Sequence, residues 1–237
     1  MPKPKIAVFT GAGISAESGL ATFRASDGLW ENHRVEDVAS PEGWHRNPEL
    51  VLDFYNQRRI QALKAQPNAG HLGIAELEKS FEVSVITQNV DNLHERAGSK
   101  NIIHLHGSLF QARGTEKNQE VLEWEKDLMK IGDLAPDGSQ LRPHIVWFGE
   151  AVPMMEPAIR EVEQSEALLV VGTSLQVYPA ASLLSYLPPL QPILYLDPNP
   201  APTYGRRGVE VFAENASSGM TRVQNRLLEL FSLPPQA

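Results

Sequence analysis

A short β-prone run, residues 6–10 (Ile-Ala-Val-Phe-Thr), leads directly into Gly11-Ala12-Gly13-Ile14-Ser15-Ala16. Two glycines one residue apart, after a strand and before a helix-forming stretch, leave few folds open. The backbone must turn tightly there, and its N–H groups can approach an anion at a helix N-terminus. The pattern is G-x-G-x-x-A, a variant of the dinucleotide fingerprint, with Gly11, Ala12 and Gly13 as candidate cofactor contacts. Spacing alone does not separate this reading from a plain strand-to-helix turn. The acidic ribose ligand expected about 20 residues further on is missing in its usual form. Glu31 stands near that distance, but in a loop and not at a second strand, so an ordinary dehydrogenase is not expected.

The alternation continues along the chain. Residues 83–87, 167–172 and 193–196 are β-rich runs ending near Gly, Asn, Asp or Pro, and residues 48–66 and 70–79 have helical patterns. This predicts an α/β fold, a doubly wound parallel sheet covered on both faces, with ligands beyond the carboxyl ends of its strands. A chain of 237 residues, 42% hydrophobic, suffices for one such domain with a small insertion. Residues 114–141 break the pattern, with seven acidic residues against three basic ones and few apolar ones. The spacing of Leu122, Glu125 and Met129, and of Val121, Trp124 and Leu128, predicts a short amphipathic helix, then a turn at 135–138. We expect a small module at about 111–141 inserted between a large part formed by 1–110 and 142–237.

Charge and composition exclude several classes. Twenty-one basic and 29 acidic residues give −8 with neutral histidine, a poor balance for coating nucleic acid. No run approaches the ~18 apolar residues that span a bilayer, and residues 6–10 are too short for a signal-peptide core. No nucleic-acid or membrane partner is expected, and a cytoplasmic protein is. The chain has no cysteine. Disulfides, a cysteine nucleophile and thiolate zinc or iron–sulfur sites are thereby excluded.

Chemistry-bearing residues cluster where the strands end. Thr87-Gln88-Asn89-Val90-Asp91-Asn92 groups amides and a carboxylate suited to a carboxamide or to ribose hydroxyls, although Asn89 or Asp91 alone would serve as a helix cap. In His104-Leu105-His106-Gly107-Ser108, a strand would put both histidines on one face. No third metal ligand is evident, and an imidazole suits proton transfer near neutral pH. Tyr55 and Arg58 share a helix face by i, i+3 spacing and together suit a carboxylate, though such pairs are common on solvated helices. Val146-Trp147-Phe148-Gly149-Glu150 reads as an edge strand or as a strand receiving an extended peptide. Gly172-Thr173-Ser174 is a second glycine site at a strand end.

Five segments in order, 11–24, 87–98, 104–108, 146–150 and 172–180, resemble the sirtuins, the NAD-dependent protein-lysine deacylases. The resemblance implies a large Rossmann-like domain with a small inserted module, NAD and acyl-lysine proteins or peptides meeting between them. It implies NAD contacts from Gly11, Ala12, Gly13, Phe23, Arg24, Gln88, Asn89, Asp91, Gly172, Thr173 and Ser174. His106 aligns with the catalytic base, acting beside Asn89, and Val146 to Glu150 with a strand holding the substrate backbone. A Tyr-x-x-Arg at 55–58 resembles the bacterial and mitochondrial desuccinylase subclass, which implies action on succinyl- or malonyl-lysine, besides acetyl-lysine. NAD would be consumed, giving nicotinamide and O-acyl-ADP-ribose. Two departures stand out. The four zinc cysteines usual in the family are absent, so no metal is expected and Trp124 must add apolar packing. Tyr195 stands where the family often has Asn near the adenosine, and Ala216 matches an adenine contact. An ADP-ribosyl transferase or NAD glycohydrolase, and a non-catalytic NAD-binding protein, are the alternatives.

Overall fold

The glycine turn opens a doubly wound sheet. A computed structural model of the chain describes residues 2–21, 29–116, 120–125, 128–203 and 208–234. In order, the elements are β1 (Lys5–Thr10), α1 (Ala12–Ala16), β2 (Leu29–Trp30), β3 (His33–Arg34), α2 (Val35–Val38), α3 (Pro41–Arg46), α4 (Pro48–Lys64) and α5 (Ala69–Leu77). Then come β4 (Glu82–Thr87), α6 (Leu93–Ala97), β5 (Ile102–His104), β6 (Gly107–Gly114), β7 (Val121–Glu123) and β8 (Leu141–Ile145). The last are α7 (Met155–Glu163), β9 (Ala167–Val171), a 3-10 turn (Ala180–Tyr186), β10 (Ile193–Leu196), β11 (Val209–Phe212) and α8 (Ala216–Leu230).

Six parallel strands lie in the order β11-β10-β9-β1-β4-β5. The chain winds outward through β4 and β5, returns to β9 on the other side of β1, and continues through β10 and β11. The switch point falls between β1 and β9, where such sheets bind ligands. Every residue of β9 is buried, as a central parallel strand covered on both faces requires. Alternate residues feed two cores. Ile6, Val8 and Leu169 pack with Ile74 of α5 and with Val223 and Leu227 of α8. Ala7, Phe9 and Leu168 pack with Ala158 and Val162 of α7 and with Leu183. Among the described residues no helix is long and apolar enough to cross a membrane.

The acidic stretch departs from the expected helix. Residues Val121–Glu123 form β7, paired antiparallel with β6, which also pairs with β8. Leu122 is half-buried between exposed Val121 and Glu123. A period of two completed by a partner backbone outweighs a helical period resting on a few apolar residues. The turn is where expected, with Gly138 N–H donating to the Ala135 carbonyl at 2.9 Å. This small sheet runs from Gly107 to Ile145, wider than 111–141 at both ends. Helix α4 packs on it, so Phe54, Tyr55 and Ala62 share a third core with Leu109, Ala112, Trp124 and Met129.

Polar side chains pin α4 to the module. Asn56 donates to the Met129 carbonyl and accepts from the Met129 N–H, both at 2.8 Å. Arg59, buried, donates to the carbonyls of Leu109 and Trp124. Gln140 donates to the carbonyls of Lys130, Asp133 and Leu141 and accepts from Gly132 N–H. We predict that Asn56→Ala, which strands both Met129 groups, lowers unfolding free energy in urea by about 1–3 kcal/mol. A change within about 0.5 kcal/mol, the range of neutral surface substitutions, would show that α4 does not hold the module.

Candidate active site

A cavity of about 410 Å³ opens at the carboxyl ends of β1, β4, β9 and β10, facing the module. Its volume is in the range of small-molecule and cofactor sites. Gly11, Ala12 and Gly13 line it from the turn after β1, and Gly172, Thr173 and Ser174 from the turn after β9. Gly11 N–H donates to the Val171 carbonyl at 3.0 Å and Gly13 N–H to the Gly172 carbonyl at 2.8 Å. Gly172 has φ +61°, and a Cβ there would lie 2.3 Å from the Ile14 nitrogen. Only glycine fits this position.

Beneath the turns lies a buried polar cluster. Asn89 Nδ2 donates to the Gly11 carbonyl and to Ser15 Oγ, both at 3.1 Å. Ser15 Oγ donates to Asp91 Oδ2 at 2.9 Å, and Asp91 Oδ1 accepts from Leu93 N–H at 3.0 Å. Burial raises the Asp91 carboxyl, and the Leu93 and Ser15 bonds partly offset that rise. Gln88 Nε2 donates to Thr173 Oγ1 at 3.0 Å, bridging the ends of β4 and β9. Behind Ser15 sits buried His71. Its Nδ1 accepts from Asn68 N–H, which leaves Nε2–H facing Ser15 Oγ at 3.5 Å. Burial pushes His71 down to about 4.

The two histidines of the His-Leu-His segment part company, because the strand ends at His104 and His106 lies in the turn that follows. His104 Nδ1 donates to the Asn89 carbonyl at 3.0 Å and Nε2 meets Glu95 Oε1 at 2.7 Å. Burial lowers its basicity, but the Glu95 carboxylate and the Asn89 carbonyl more than reverse that, so His104 favours the imidazolium. His106 lines the cavity. Its Nδ1–H donates to the Gln88 carbonyl at 3.1 Å, which leaves the lone pair on Nε2. Burial lowers its pKa, against the Gln88 bond, and keeps the ring neutral. Among the described residues no group of three or more His, Asp or Glu could hold a metal ion.

The module side of the cavity carries Tyr55, Arg58 and residues 146–150. Those five residues are not the expected strand, since β8 ends at Ile145 and a turn follows. The cause is Glu150. Its carboxylate accepts from Arg142, from Arg113 and from Trp147 N–H. Burial would raise this carboxyl, but those bonds and charges hold it below the ordinary range. The N–H groups of Val146, Phe148 and Glu150 donate to the carbonyls of His106, Ala39 and Trp147. An added substrate strand would find these donors engaged. Trp147 Nε1 donates to the Tyr55 hydroxyl at 3.1 Å, and the Arg142 guanidinium stacks on the Trp147 ring.

The Sir2 family model matches residues 11–179, more than half of the chain. The chain belongs to the Sir2 family. It is 52% identical to a Helicobacter pylori protein named NAD-dependent protein deacylase, over 96% of this chain and 99% of that one. A Bacteroides thetaiotaomicron protein of the same name is 50% identical over 94% and 97%. The crystal structure of a Sir2 homologue–NAD complex superposes with a TM-score of 0.84, at 39% identity, covering 96% of this chain and 91% of that one.

Two of the expected family positions, Tyr195 and Ala216, are buried in this Sir2 chain. Tyr195 is fully buried in β10 and packs in the core. Its hydroxyl donates to the Thr173 carbonyl at 2.7 Å and accepts from Ala201 N–H at 3.0 Å. Ala216 is buried at the start of α8, in the other core. Neither lines the cavity. Phe23 and Arg24 lie outside the described residues. Conversely, Asp197, Gln61 and Trp30 line the cavity without having been singled out. Asp197 follows β10 directly, so the rule that ligands gather at strand ends could have found it. Gln61 is one turn beyond Arg58, and the same i, i+3 spacing predicts it.

His71 generates a pH prediction. Its folded pKa of about 4 lies below the 6.5 of a free imidazole, so the unfolded chain binds the proton first. Stability from this residue is full above 6.5 and falls as pH drops toward about 4, at up to ~1.4 kcal/mol per pH unit. Urea unfolding of wild type and His71→Gln at pH 7.5, 6 and 5 should show a smaller acid loss in the variant. Equal losses would mean that His71 is not the group titrating.

Proposed function

We propose that this Sir2-family chain is an NAD-dependent protein-lysine deacylase that prefers succinyl- and malonyl-lysine to acetyl-lysine. Arg58 carries the reading. It is buried on the cavity wall, and its Nη1 has no hydrogen-bond partner among the described residues. An unpaired buried guanidinium nitrogen is costly, and its planar fork matches a carboxylate. Tyr55 lies on the same helix face. Its oxygen already accepts from Trp147, so its own O–H is left to donate. A succinyl or malonyl carboxylate supplies the acceptor both groups need, and an acetyl group does not.

The cavity fits the family's co-substrate by the chemistry of its walls. The turns at 11–13 and 172–174 line the cavity at the switch point, and buried Asn89, Asp91 and Ser15 offer amide, carboxylate and hydroxyl groups. NAD, when bound, supplies the electrophilic ribose carbon that accepts the acyl oxygen. Asn89 and Asp91 orient the polar groups placed against them, their own geometry fixed by Ser15. His106 Nε2 accepts a proton from a co-substrate hydroxyl. The Nδ1–H bond to the Gln88 carbonyl then holds the imidazolium in place. With one water consumed to release the amine, the products are free lysine, nicotinamide and O-acyl-ADP-ribose.

Two variants test this. His106→Ala should lower kcat about 10²- to 10⁴-fold, the usual worth of a general base, while NAD binding by calorimetry stays within a few-fold. Near-normal turnover would remove His106 from the chemistry. Arg58→Met should cost kcat/KM on succinyl-lysine peptide about 2–5 kcal/mol, as loss of one partner in a buried charge pair does. Turnover of the matched acetyl-lysine peptide should barely change. Equal losses on both peptides would remove the acidic preference, and nicotinamide release without any acyl peptide would favour a glycohydrolase.

A further inference from the structure

The hairpin of β2 and β3 brings a second charge to Arg58. Its two-residue turn is Glu31-Asn32, with φ +49° and +64°. Turns of this kind favour Asn, Asp and Gly, and a glutamate with positive φ is uncommon. Turn chemistry therefore gives no reason for Glu31. The carboxylate reaches α4 instead, with Oε2 4.0 Å from Arg58 Nη2 and the two side chains only 24% and 9% exposed. That distance allows attraction but no hydrogen bond. Arg58 Nε donates to Gln61 Oε1 at 3.2 Å, and the guanidinium carbon lies 4.7 Å from the centre of the Phe54 ring. Gln61 and Phe54 thus fix the plane of the fork. Among the described residues Nη1 remains unpaired, and Nη2 faces Glu31 without a hydrogen bond. Glu31 offsets the buried charge without taking a hydrogen bond from the fork.

We propose that Glu31 is the resident counter-ion of Arg58 and sets the balance between acidic and neutral acyl groups by opposing a second carboxylate at the fork. The inference rests on the acidic-acyl reading above. Without substrate, Glu31 lessens the cost of an isolated cation in a half-dry pocket. When a succinyl carboxylate takes Nη1 and Nη2, two anions share one cation, and their repulsion is set against binding. Acetyl-lysine carries no charge and feels neither effect. Glu31 acts through Arg58, which makes it a positioning residue for specificity.

Steady-state kinetics on succinyl- and acetyl-lysine peptides of one sequence test the idea. Glu31→Gln keeps the shape and removes the charge. Its KM for the succinyl peptide should fall about three- to tenfold, as expected for removing a like charge a few ångströms away at intermediate dielectric. The succinyl kcat and the acetyl KM should stay put. Glu31→Asp, which keeps the charge, should return the succinyl KM toward wild type. A succinyl KM that is unchanged or raised in Glu31→Gln overturns the inference, and so does an equal shift on both peptides, which would mark a general disturbance of the hairpin. If desuccinylation is lost in Arg58→Met but indifferent to Glu31→Gln, the acidic-acyl reading stands and the counter-ion role falls. If the wild type shows no succinyl preference and Arg58→Met changes nothing, both fall.

Discussion

Where Gly13 N–H meets the Gly172 carbonyl, the turns after β1 and β9 touch through main chain alone, and the rest of the site is built outward from that contact. It exists because β1 and β9 are adjacent, with Thr10 in register with Val171, so both turns leave the sheet at one height. Asn89 reaches it from β4 through the Gly11 carbonyl, and Gln88 reaches Thr173. Tyr195 braces it from β10 through the Thr173 carbonyl. Four neighbouring strands, β10, β9, β1 and β4, therefore converge at two glycine turns. A Cβ at Gly172 would separate them and move every polar group that depends on their spacing.

Protonation states follow from the same geometry. Within three residues, His104 and His106 take opposite roles because their partners differ. His104 donates from both nitrogens, to a carbonyl and a carboxylate, and is favoured as the cation. His106 has a carbonyl on one side only, so it keeps a basic nitrogen. His71 must accept from Asn68 N–H, which selects the neutral ring. In each ring one backbone group, placed by the sheet or a helix cap, fixes which nitrogen carries a proton, and burial or a carboxylate shifts the pKa.

Strand ends were legible in the sequence because they depend on local signals. The glycine turn, the amide cluster at 88–91, and Gly172 to Ser174 all follow β-rich runs, and all reach one cavity. Tyr55 and Arg58 were legible as a pair from helical spacing, although spacing could not say that the face was buried. Failures came where a partner far along the chain decides. Residues 121–123 became a strand because β6 offers an unpaired edge. Residues 146–150 lost their extended form because Arg113, 37 residues away, joins Arg142 on Glu150. Tyr195 has the period of its strand, and that period points it into the core. Glu31 stood out first as a misplaced ribose ligand, and only the hairpin shows that it faces Arg58.

A chain without cysteine cannot cross-link its module through thiolates, and the polar contacts that hold the module here are shared with the cavity wall. Asn56 and Arg59, which pin the module to α4, flank Arg58 on the same helix. Glu150, which draws in Arg113 and Arg142, also holds Trp147 N–H, and Trp147 in turn holds the Tyr55 hydroxyl. Buried ion pairs are weak sources of net stability, because desolvation offsets most of their attraction. Their value here is positional: Glu150 holds the Trp147 main chain and Arg142 its ring, and Trp147 Nε1 occupies the acceptor side of the Tyr55 hydroxyl. Substitutions that loosen the module should therefore disturb the cavity wall before they register in unfolding, since Tyr55 and Arg58 stand on the same helix that carries the load.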